Sequence, residues 1–237
     1  MKSNTKLVIL AGGIGRRLRP FTLYVPKPML PLGDKPILSH IIDWASHEGL
    51  KEIIIATAYL GKIIEDYFGD GRDYGIDIKY ARSNRPLSSG GQLKTVEEMI
   101  ERTFILSYSD IVTDLHINPL LEFHSNNRSK ATIVARRHEI PFRFGELKLG
   151  ELGRLQEWEE KPIISRLVNA GIFVMEPDIF TFIGKNEAVS MDIVIRRMMA
   201  KDLPVFVYDS SAKFIDVGDQ ESYEKANEHY VKLLEEI

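Results

Sequence analysis

Short apolar runs alternate with helical patterns along most of this chain, and that alternation constrains its fold more than any other feature. The run at residues 7–10, Leu-Val-Ile-Leu, is typical of a buried strand and ends at two glycines. The same reasoning predicts further strands at residues 52–56, 76–80, 103–106 and 131–135, and helices at 36–49, 61–68, 91–100 and 116–127. Continuous apolar strands joined by helices predict a mainly parallel sheet that helices cover on both faces.

The pattern changes after about residue 138. Residues 142–149 and 154–158 alternate between apolar and polar side chains, which predicts two short antiparallel strands. Apolar strands return at 168–175 and 205–208, and residues 221–235 have the pattern of an amphipathic helix. The predicted fold class is therefore α/β: a Rossmann-like, mainly parallel sheet with helices on both faces and a small antiparallel insertion.

Composition excludes several classes of protein. The chain has 237 residues, of which 44% are hydrophobic, and its formal net charge is −3, so neither a disordered chain nor a polybasic nucleic-acid binder is expected. It has no cysteine, which excludes disulfides and thiolate metal sites, and its six histidines lack the spacing of a zinc site. No run approaches the roughly 20 apolar residues of a membrane span, and the first apolar run is too short for a signal peptide. We therefore expect a cytoplasmic protein without nucleic-acid or membrane partners.

A glycine-rich loop directly follows the first predicted strand. Gly12, Gly13 and Gly15 would let backbone N–H groups approach an anion, and Arg16, Arg17 and Arg19 follow them. Glycines alone would equally suit a tight turn beside a solvated basic patch. The arginines, together with a single lysine held between two prolines in Pro26-Lys27-Pro28, favour a phosphate-binding loop.

One aspartate stands where ligands of such a fold would be bound, and a second follows another apolar run. Asp110 comes just after the fourth predicted strand, and Asp216 lies between an apolar run and a glycine. Either can instead be a turn or helix-capping residue. Asp114 is assigned to capping the helix that begins near His116.

Residues 10–22, 26–28 and 33–36 together resemble the signature of the sugar-1-phosphate nucleotidylyltransferases. Enzymes of this family join glucose, mannose, heptose or amino-sugar 1-phosphates to a nucleotide. The resemblance implies that Arg17 and Lys27 are catalytic. It also implies a set of nucleotide-binding residues around the loop: Leu10, Ala11, Gly12, Gly13, Gly15 and Arg16.

Six further segments carry the resemblance. Residues 107–110 and 214–218 resemble the elements whose aspartates bind Mg²⁺, which assigns Asp110 and Asp216 to the metal. Residues 86–93 resemble the base-recognition loop and add Ser89 and Gly90 to the nucleotide site. Residues 144–145, 159–162 and 169–171 resemble the elements of the sugar-phosphate site. The resemblance assigns Gly145, Glu160, Lys161 and Asn169 to that site, and it makes Lys161 catalytic as well. The chain departs from the family pattern at Arg16, Ser83, Ser88 and Ser109.

The resemblance predicts one catalytic domain over residues 1–237. Within it, residues 1–137 form the nucleotide-binding core, 138–218 the sugar-phosphate-binding part, and 219–237 a C-terminal helix. The expected reaction is Mg²⁺-dependent and joins a nucleoside triphosphate to a hexose or heptose 1-phosphate, giving a nucleotide sugar and pyrophosphate. Two alternatives stay open: a non-catalytic nucleotide-sugar-binding regulatory subunit, and a phosphocholine cytidylyltransferase. Because dimers and tetramers are frequent among similar proteins, a homo-oligomer is also anticipated.

Overall fold

The computed structural model describes the backbone of residues 5–235 and the side chains of residues 5–228 and 230. Its strands are β1 (Lys6–Leu10), β2 (Pro31–Leu32), β3 (Lys35–Pro36), β4 (Glu52–Thr57), β5 (Asp77–Arg82), β6 (Phe104–Tyr108), β7 (Ile111–Thr113), β8 (Ala131–Pro141), β9 (Glu146–Leu149), β10 (Leu155–Glu159), β11 (Ile163–Met175), β12 (Val205–Asp209) and β13 (Phe214–Asp216). Its helices are α1 (Ile37–His47), α2 (Gly61–Phe68), α3 (Ser88–Lys94), α4 (Ile117–Asn126), α5 (Met191–Met199) and α6 (Gln220–Glu235).

The central sheet has seven strands in the order β12-β8-β11-β6-β1-β4-β5. Strand β1 pairs in parallel with both β4 and β6, and the β4–β5 and β8–β12 pairs are also parallel. Only β11 runs antiparallel to its neighbours β6 and β8. The predicted mainly parallel α/β sheet is confirmed, and the carboxyl ends of β1, β4 and β6 therefore meet at one edge.

Helices cover both faces of this sheet. Successive residues of β1 face opposite sides: Leu7 and Ile9 pack with α1, α2 and α4, whereas Val8 and Leu10 pack with α3 and α5. All four side chains are at most 6% exposed. Burial on both faces explains why the strand reads as a continuous apolar run rather than an alternating one. In the described part of the chain, no helix combines the length and apolar character needed to cross a membrane.

Helix α1 ends where the sequence predicts. Gly49 adopts φ +80°, its N–H donates to the Ser46 carbonyl, and the N–H of Leu50 donates to the Ala45 carbonyl at 2.9 Å. This is a Schellman C-cap, which requires a left-handed residue directly after the helix and so favours glycine.

The antiparallel insertion is built differently from a pair of isolated strands. Strands β8 and β11 continue beyond the sheet as a paired extension, which runs from Ala135 opposite Asn169 to Pro141 opposite Ile163. Between them, β9 and β10 form a separate two-stranded ribbon. The sequence does not predict the outer halves of β8 and β11 as strands, because Arg, His and Glu interrupt the apolar pattern there.

One helix prediction needs correction, and one helix of the structure was not predicted. The helix predicted at residues 91–100 is α3, which ends at Lys94 and is followed by a 3-10 turn at Glu97–Met99. Thr95 Oγ1 donates to the Gln92 carbonyl at 2.7 Å, and the N–H groups of Thr95 and Val96 bond three residues back, so the α-helical ladder ends there. Helix α5 was not predicted at all.

The assignment of Asp114 as a helix cap is wrong. Helix α4 begins at Ile117, and the Ile117 N–H donates to Glu48 Oε2 at 2.9 Å, so a carboxylate from the end of α1 satisfies it. Asp114 Oδ1 instead accepts a hydrogen bond from the Lys213 N–H at 2.8 Å. Three residues before the helix, Asp114 lies outside the N-cap position.

Candidate active site

A cavity of about 630 Å³ lies at the carboxyl ends of β1, β4 and β6. Ligands of open α/β sheets bind at this edge. The cavity is lined by the glycine loop, the segment before α3 and the end of β6: Leu10, Gly12, Gly13, Ile14, Gly15, Arg16, Arg17, Lys27, Pro28, Ala58, Ser83, Arg85, Pro86, Leu87, Ser88, Ser89, Gln92, Tyr108, Ser109, Asp110 and Gly218.

The glycine loop presents bare backbone to this cavity. Gly15 adopts φ +67°, and Thr22 Oγ1 donates to its carbonyl at 2.8 Å. At Gly12 a Cβ atom would lie 1.8 Å from Gln92 Nε2, a distance that the packing cannot accept. Gly13 has no atom within 4 Å of that position, so its surroundings are open. A loop of this kind lets N–H groups approach an anion without steric hindrance.

Lys27 and Asp110 form an ion pair inside the cavity. Their side chains are only 13% and 22% exposed, so little water screens the pair. The sequence assigned these two residues to catalysis and to the metal, and the structure brings them into direct contact. Asp110 follows the end of β6, and Lys27 lies beside Gly15 of the glycine loop, which follows the neighbouring strand β1.

Asp216 reaches the same region through a separate pairing. Strand β13 lies antiparallel to β7 with Asp216 opposite Ile111, and the Val217 N–H donates to the Asp110 carbonyl at 3.0 Å. Burial raises the pKa of the Asp216 carboxyl, and the negative charge of Asp110 raises it further, against the opposing charges of Lys27, Arg136 and Arg17. Two carboxylates that influence each other in this way form an anionic pair suited to a cation.

The donor set fits Mg²⁺. This ion commonly takes one or two protein carboxylates and completes its shell with water and phosphate oxygens. Asp110 and Asp216 supply such a pair beside a loop suited to phosphate. Among the residues that the structure describes, no group of three or more His, Cys, Asp or Glu is placed to hold a metal, so an all-protein cage is not offered there.

The other predicted nucleotide-binding residues divide into two groups. Leu10, Arg16 and Ser89 line the cavity, as does Arg17, which the resemblance assigned to catalysis. Ser89 Oγ also accepts a hydrogen bond from the Met191 N–H at 2.9 Å. Ala11 and Gly90 do not line it. The Ala11 N–H donates to the Ala56 carbonyl at 2.8 Å, and Gly90 packs so tightly on Val189 and Val194 that a Cβ has no room. These two residues fix the position of the segments that line the cavity, Ala11 by its hydrogen bond and Gly90 by its packing.

The predicted sugar-phosphate residues lie apart from the cavity, on the insertion and β11. Gly145 packs against the side chains of Trp158 and Glu160, where a Cβ would lie 2.7 Å from Trp158 Nε1. Trp158 Nε1 donates to Glu160 Oε2 at 3.2 Å, and Asn169 Oδ1 accepts from the Gly171 N–H at 2.9 Å. Lys161 is exposed and adopts φ +50°, an uncommon conformation for a residue with a side chain.

Gln92, Tyr108 and Arg85 are among the lining residues to which the sequence assigned no role. Gln92 is buried, and its Nε2 donates to the Ala56 carbonyl at 3.1 Å, which fixes the amide beside Gly12. Tyr108 lies two residues before Asp110, and burial raises the pKa of its phenol. Arg85 donates to the Asn186 carbonyl. A signal existed for both Tyr108, which ends the strand that leads to Asp110, and Gln92, which lies within the base-recognition segment 86–93.

Fold and cavity together define an α/β protein with a loop suited to phosphate and a carboxylate pair suited to a cation. Residues 6–232 match the family model described as "Nucleotidyl transferase", and the chain belongs to this family. It is 30% identical over 226 residues to a mannose-1-phosphate guanyltransferase of Yarrowia lipolytica, covering 92% of this chain and 62% of the relative. A mannose-1-phosphate guanylyltransferase of Mycobacterium tuberculosis is also 30% identical, with 95% and 64% coverage. The chain thus spans somewhat less than two thirds of the length of these relatives.

Solved structures show the same fold. The crystal structure of HddC from Yersinia pseudotuberculosis complexed with GMP-PN superposes with a TM-score of 0.75 at 25% identity, covering 95% of this chain and 99% of the other. A UDP-glucose pyrophosphorylase complexed with UDP-glucose gives a TM-score of 0.74 at 23% identity, with 97% and 99% coverage. The second likeness is evidence for the fold alone.

Proposed function

We propose that this chain is a sugar-1-phosphate nucleotidylyltransferase. It would join a nucleoside triphosphate to a hexose or heptose 1-phosphate and release pyrophosphate. The observation that supports this most directly is the Lys27–Asp110 pair, which lies in the cavity beside the glycine loop. Family membership and the names of the relatives point to the same reaction.

The chemical step needs little acid–base catalysis. An anionic oxygen of the sugar phosphate attacks the α-phosphorus of the triphosphate. A new O–P bond forms as the bond from the α-phosphorus to its bridging oxygen breaks, and the bonding electrons leave with pyrophosphate. No proton has to move. The obstacle is the meeting of two anionic substrates, which positioning and fixed positive charge relieve.

The residues of the cavity suit this requirement. The backbone of Gly12, Gly13 and Gly15 would surround the triphosphate, with Arg17 as a bidentate donor and Lys27 as a point charge. Lys161 would hold the attacking sugar phosphate, and Gly145, Glu160 and Asn169 would contact the sugar, roles that rest on the resemblance.

Asp110 and Asp216 would hold Mg²⁺. When bound, this ion neutralises and orients phosphate oxygens. The carboxylates of Asp110 and Asp216 would be shared between the metal and the cations around them. Binding of a cation would stabilise the ionised form of Asp216, whose pKa burial and Asp110 raise in its absence.

Pyrophosphate release tests the proposal. The purified chain is mixed with Mg²⁺, each nucleoside triphosphate and a series of sugar 1-phosphates, and pyrophosphate is measured by a coupled assay. We expect Asp110→Asn and Lys27→Met to lower kcat by about 100- to 1000-fold, the usual loss when one electrostatic contact to the transition state is removed. Asp114→Asn is the matched control, because Asp114 Oδ1 accepts the Lys213 N–H and the residue does not line the cavity, so this variant should keep nearly the full rate.

The outcomes separate the alternatives. Nucleotide-sugar binding without pyrophosphate release would favour a regulatory subunit, and turnover with phosphocholine but not sugar phosphates would favour a cytidylyltransferase. Undiminished turnover by Asp110→Asn would contradict the metal assignment. Relatives are named for both guanylyl and uridylyl transfer, so GTP and UTP are the first triphosphates to compare. A cytoplasmic location stays a prediction, which cell fractionation checks.

A further inference from the structure

The cavity runs along the carboxyl ends of four neighbouring strands, β6, β1, β4 and β5. Asp110 follows β6, the glycine loop follows β1, Ala58 follows β4 and Arg85 comes after β5, and all of them line the cavity. Neighbouring strands lie about 4.8 Å apart, so about 14 Å separates the two ends of this row. Because the glycine loop, Lys27 and Asp110 suit phosphate at the β6 end, a nucleotide bound there would extend its base toward the end of β5.

Arg85 presents a guanidinium group at the β5 end of the cavity. Its Nη2 donates to the Asn186 carbonyl, and this contact holds one edge of the planar group. A guanidinium has five N–H donors, so several are left for a ligand in the cavity. Arg82, three positions earlier, is used differently, because its guanidinium pairs with Glu65 and does not line the cavity. Arg85 thus offers oriented donors to whatever occupies this end of the cavity.

Two neighbouring segments fix the position of Arg85. Ser83 Oγ donates to the Arg85 carbonyl at 2.8 Å and accepts from the Arg85 N–H at 3.3 Å, which closes a tight turn after β5. The loop that carries Asn186 is held on the start of α3, since the Val189 N–H donates to the Leu87 carbonyl at 3.1 Å. Ser83 is a position at which the chain departs from the family pattern, and here its hydroxyl positions an arginine. Donors fixed in advance lose less conformational freedom on binding than a free side chain does.

The four nucleobases differ in what they offer to a guanidinium group. Guanine presents two adjacent acceptors, O6 and N7, which match the guanidinium fork. Adenine has a donor beside N7, and uracil separates its two carbonyl oxygens with an N–H donor, so neither offers such a pair there. Cytosine has adjacent acceptors at O2 and N3, but O2 lies next to the glycosidic bond, so that contact would bring the ribose to the end of β5. Guanine is therefore the base that fits a guanidinium at the far end of the cavity.

We propose that Arg85 selects guanine, so that GTP is the triphosphate this chain prefers. The guanidinium donates two hydrogen bonds to O6 and N7 of the base while the Asn186 carbonyl holds its other edge. Pro86 and Leu87, which also line the cavity, offer an apolar surface for the flat base. The inference rests on the proposed function, because it takes the cavity to be the triphosphate site, and it adds the identity of the base and the residue that recognises it.

Binding measured without a sugar phosphate tests the proposal separately from the reaction. Titration calorimetry in the presence of Mg²⁺ gives the Kd of GTP, ATP, UTP and CTP for the purified chain. We expect GTP to bind about 5- to 30-fold more tightly than the other three, the lower part of the range for a bidentate contact to guanine, because Arg85 is exposed. The analogue 7-deaza-GTP lacks the N7 acceptor and should bind about 10-fold more weakly than GTP.

Variants of Arg85 assign the preference to this residue. Arg85→Met should bring the Kd of GTP to that of the other triphosphates and should bind GTP and 7-deaza-GTP equally, which isolates the contact between Arg85 and N7. Arg85→Lys keeps the charge without the fork and should also lose most of the preference. Arg82→Met is the matched control, because Arg82 belongs to the same segment but pairs with Glu65 outside the cavity, and it should keep the wild-type preference.

The other outcomes are decisive as well. A wild-type chain that binds ATP, UTP or CTP as tightly as GTP, or that binds no triphosphate, would overturn the proposal, as would equal affinity for GTP and 7-deaza-GTP. If Arg85→Met weakened all four triphosphates by the same factor, Arg85 would contact a phosphate or the ribose, and the proposal would be wrong. A preference for GTP without pyrophosphate release would support the role of Arg85 and contradict the proposed reaction, whereas turnover that prefers UTP would do the reverse.

Discussion

Ser88 shows how one residue of this site is held in a conformation that its side chain disfavours. It is the first residue of α3, lines the cavity and adopts φ +59°. The family resemblance places glycine there, and glycine adopts this conformation without a steric penalty. The departure from the family pattern therefore costs folding stability, and it leaves the course of the backbone intact.

Replacing Ser88 by glycine should stabilise the chain. Removing a left-handed side chain gains about 1–2 kcal/mol, and the greater freedom of glycine in the unfolded chain costs about 0.5–1 kcal/mol. We expect Ser88→Gly to raise the free energy of unfolding in urea by about 0.5–1 kcal/mol. The control is Ser211→Gly, an exposed position outside the positive-φ residues, which should be neutral or slightly destabilising. Equal effects at both positions would argue against strain at Ser88.

At the scale of elements, a buried histidine joins α4 to two strands. His124 is 4% exposed; its Nδ1 lies 2.8 Å from Thr132 Oγ1 on β8, and its Nε2 lies 3.2 Å from Glu176 Oε1 after β11. Glu176 also accepts from Thr103 Oγ1 at 2.6 Å, just before β6. A neutral ring that donates from Nε2 and accepts at Nδ1 satisfies both partners.

Burial lowers the pKa of His124, although Glu176 opposes the shift, and this makes stability depend on pH. Below about pH 6.5 the unfolded chain binds a proton that the folded chain resists, so the free energy of unfolding should fall as the pH decreases from 6.5 to 5. The pKa of His40 is also lowered by burial and adds to the effect. Urea titrations from pH 5 to 8 measure the slope.

The His124→Asn variant should show a shallower slope than the wild type over this range, whatever its absolute stability. His138→Asn is the control, because His138 is exposed on the extension of β8, and it should keep the wild-type slope. If His124→Asn retained the whole acid-side slope, another group would be responsible.

For the whole molecule, nucleotide binding should stabilise the folded chain. A ligand at 100 times its Kd adds about 2.7 kcal/mol to the free energy of unfolding, which corresponds to about 5–10 °C in Tm for a chain of this size. We expect this shift with a triphosphate and Mg²⁺, and a much smaller one when EDTA removes the metal. Asp110→Asn should lose the metal-dependent part and Asp114→Asn should keep it. Equal shifts with and without metal would contradict the roles of Asp110 and Asp216.

Local sequence patterns were enough to predict most of the central sheet and the glycine loop. A strand buried on both faces must be apolar throughout, which revealed β1. Packing at Gly12 and the left-handed conformation of Gly15 require glycine at these two positions. The end of α1 at Gly49 follows from the same local chemistry. Periodicity failed where polar side chains interrupt a real strand, as in the outer half of β8, and where Thr95 ends a helix early.

By itself, therefore, the sequence determined the alternation of elements, the glycine loop and the identity of the charged residues, because each depends on neighbours within a few positions. Only the tertiary structure decided that Lys27 pairs with Asp110, since residues distant in the chain meet through the pairing of β1 with β6. The β7–β13 pairing likewise brings Asp216 to Asp110. The bulge at Gln156 places Trp158 on the same face of the β9–β10 ribbon as Leu155. A shift of one residue in register moves every later side chain to the other face of the strand. The pairing of strands sets that register, and it depends on contacts between residues that are distant in the sequence.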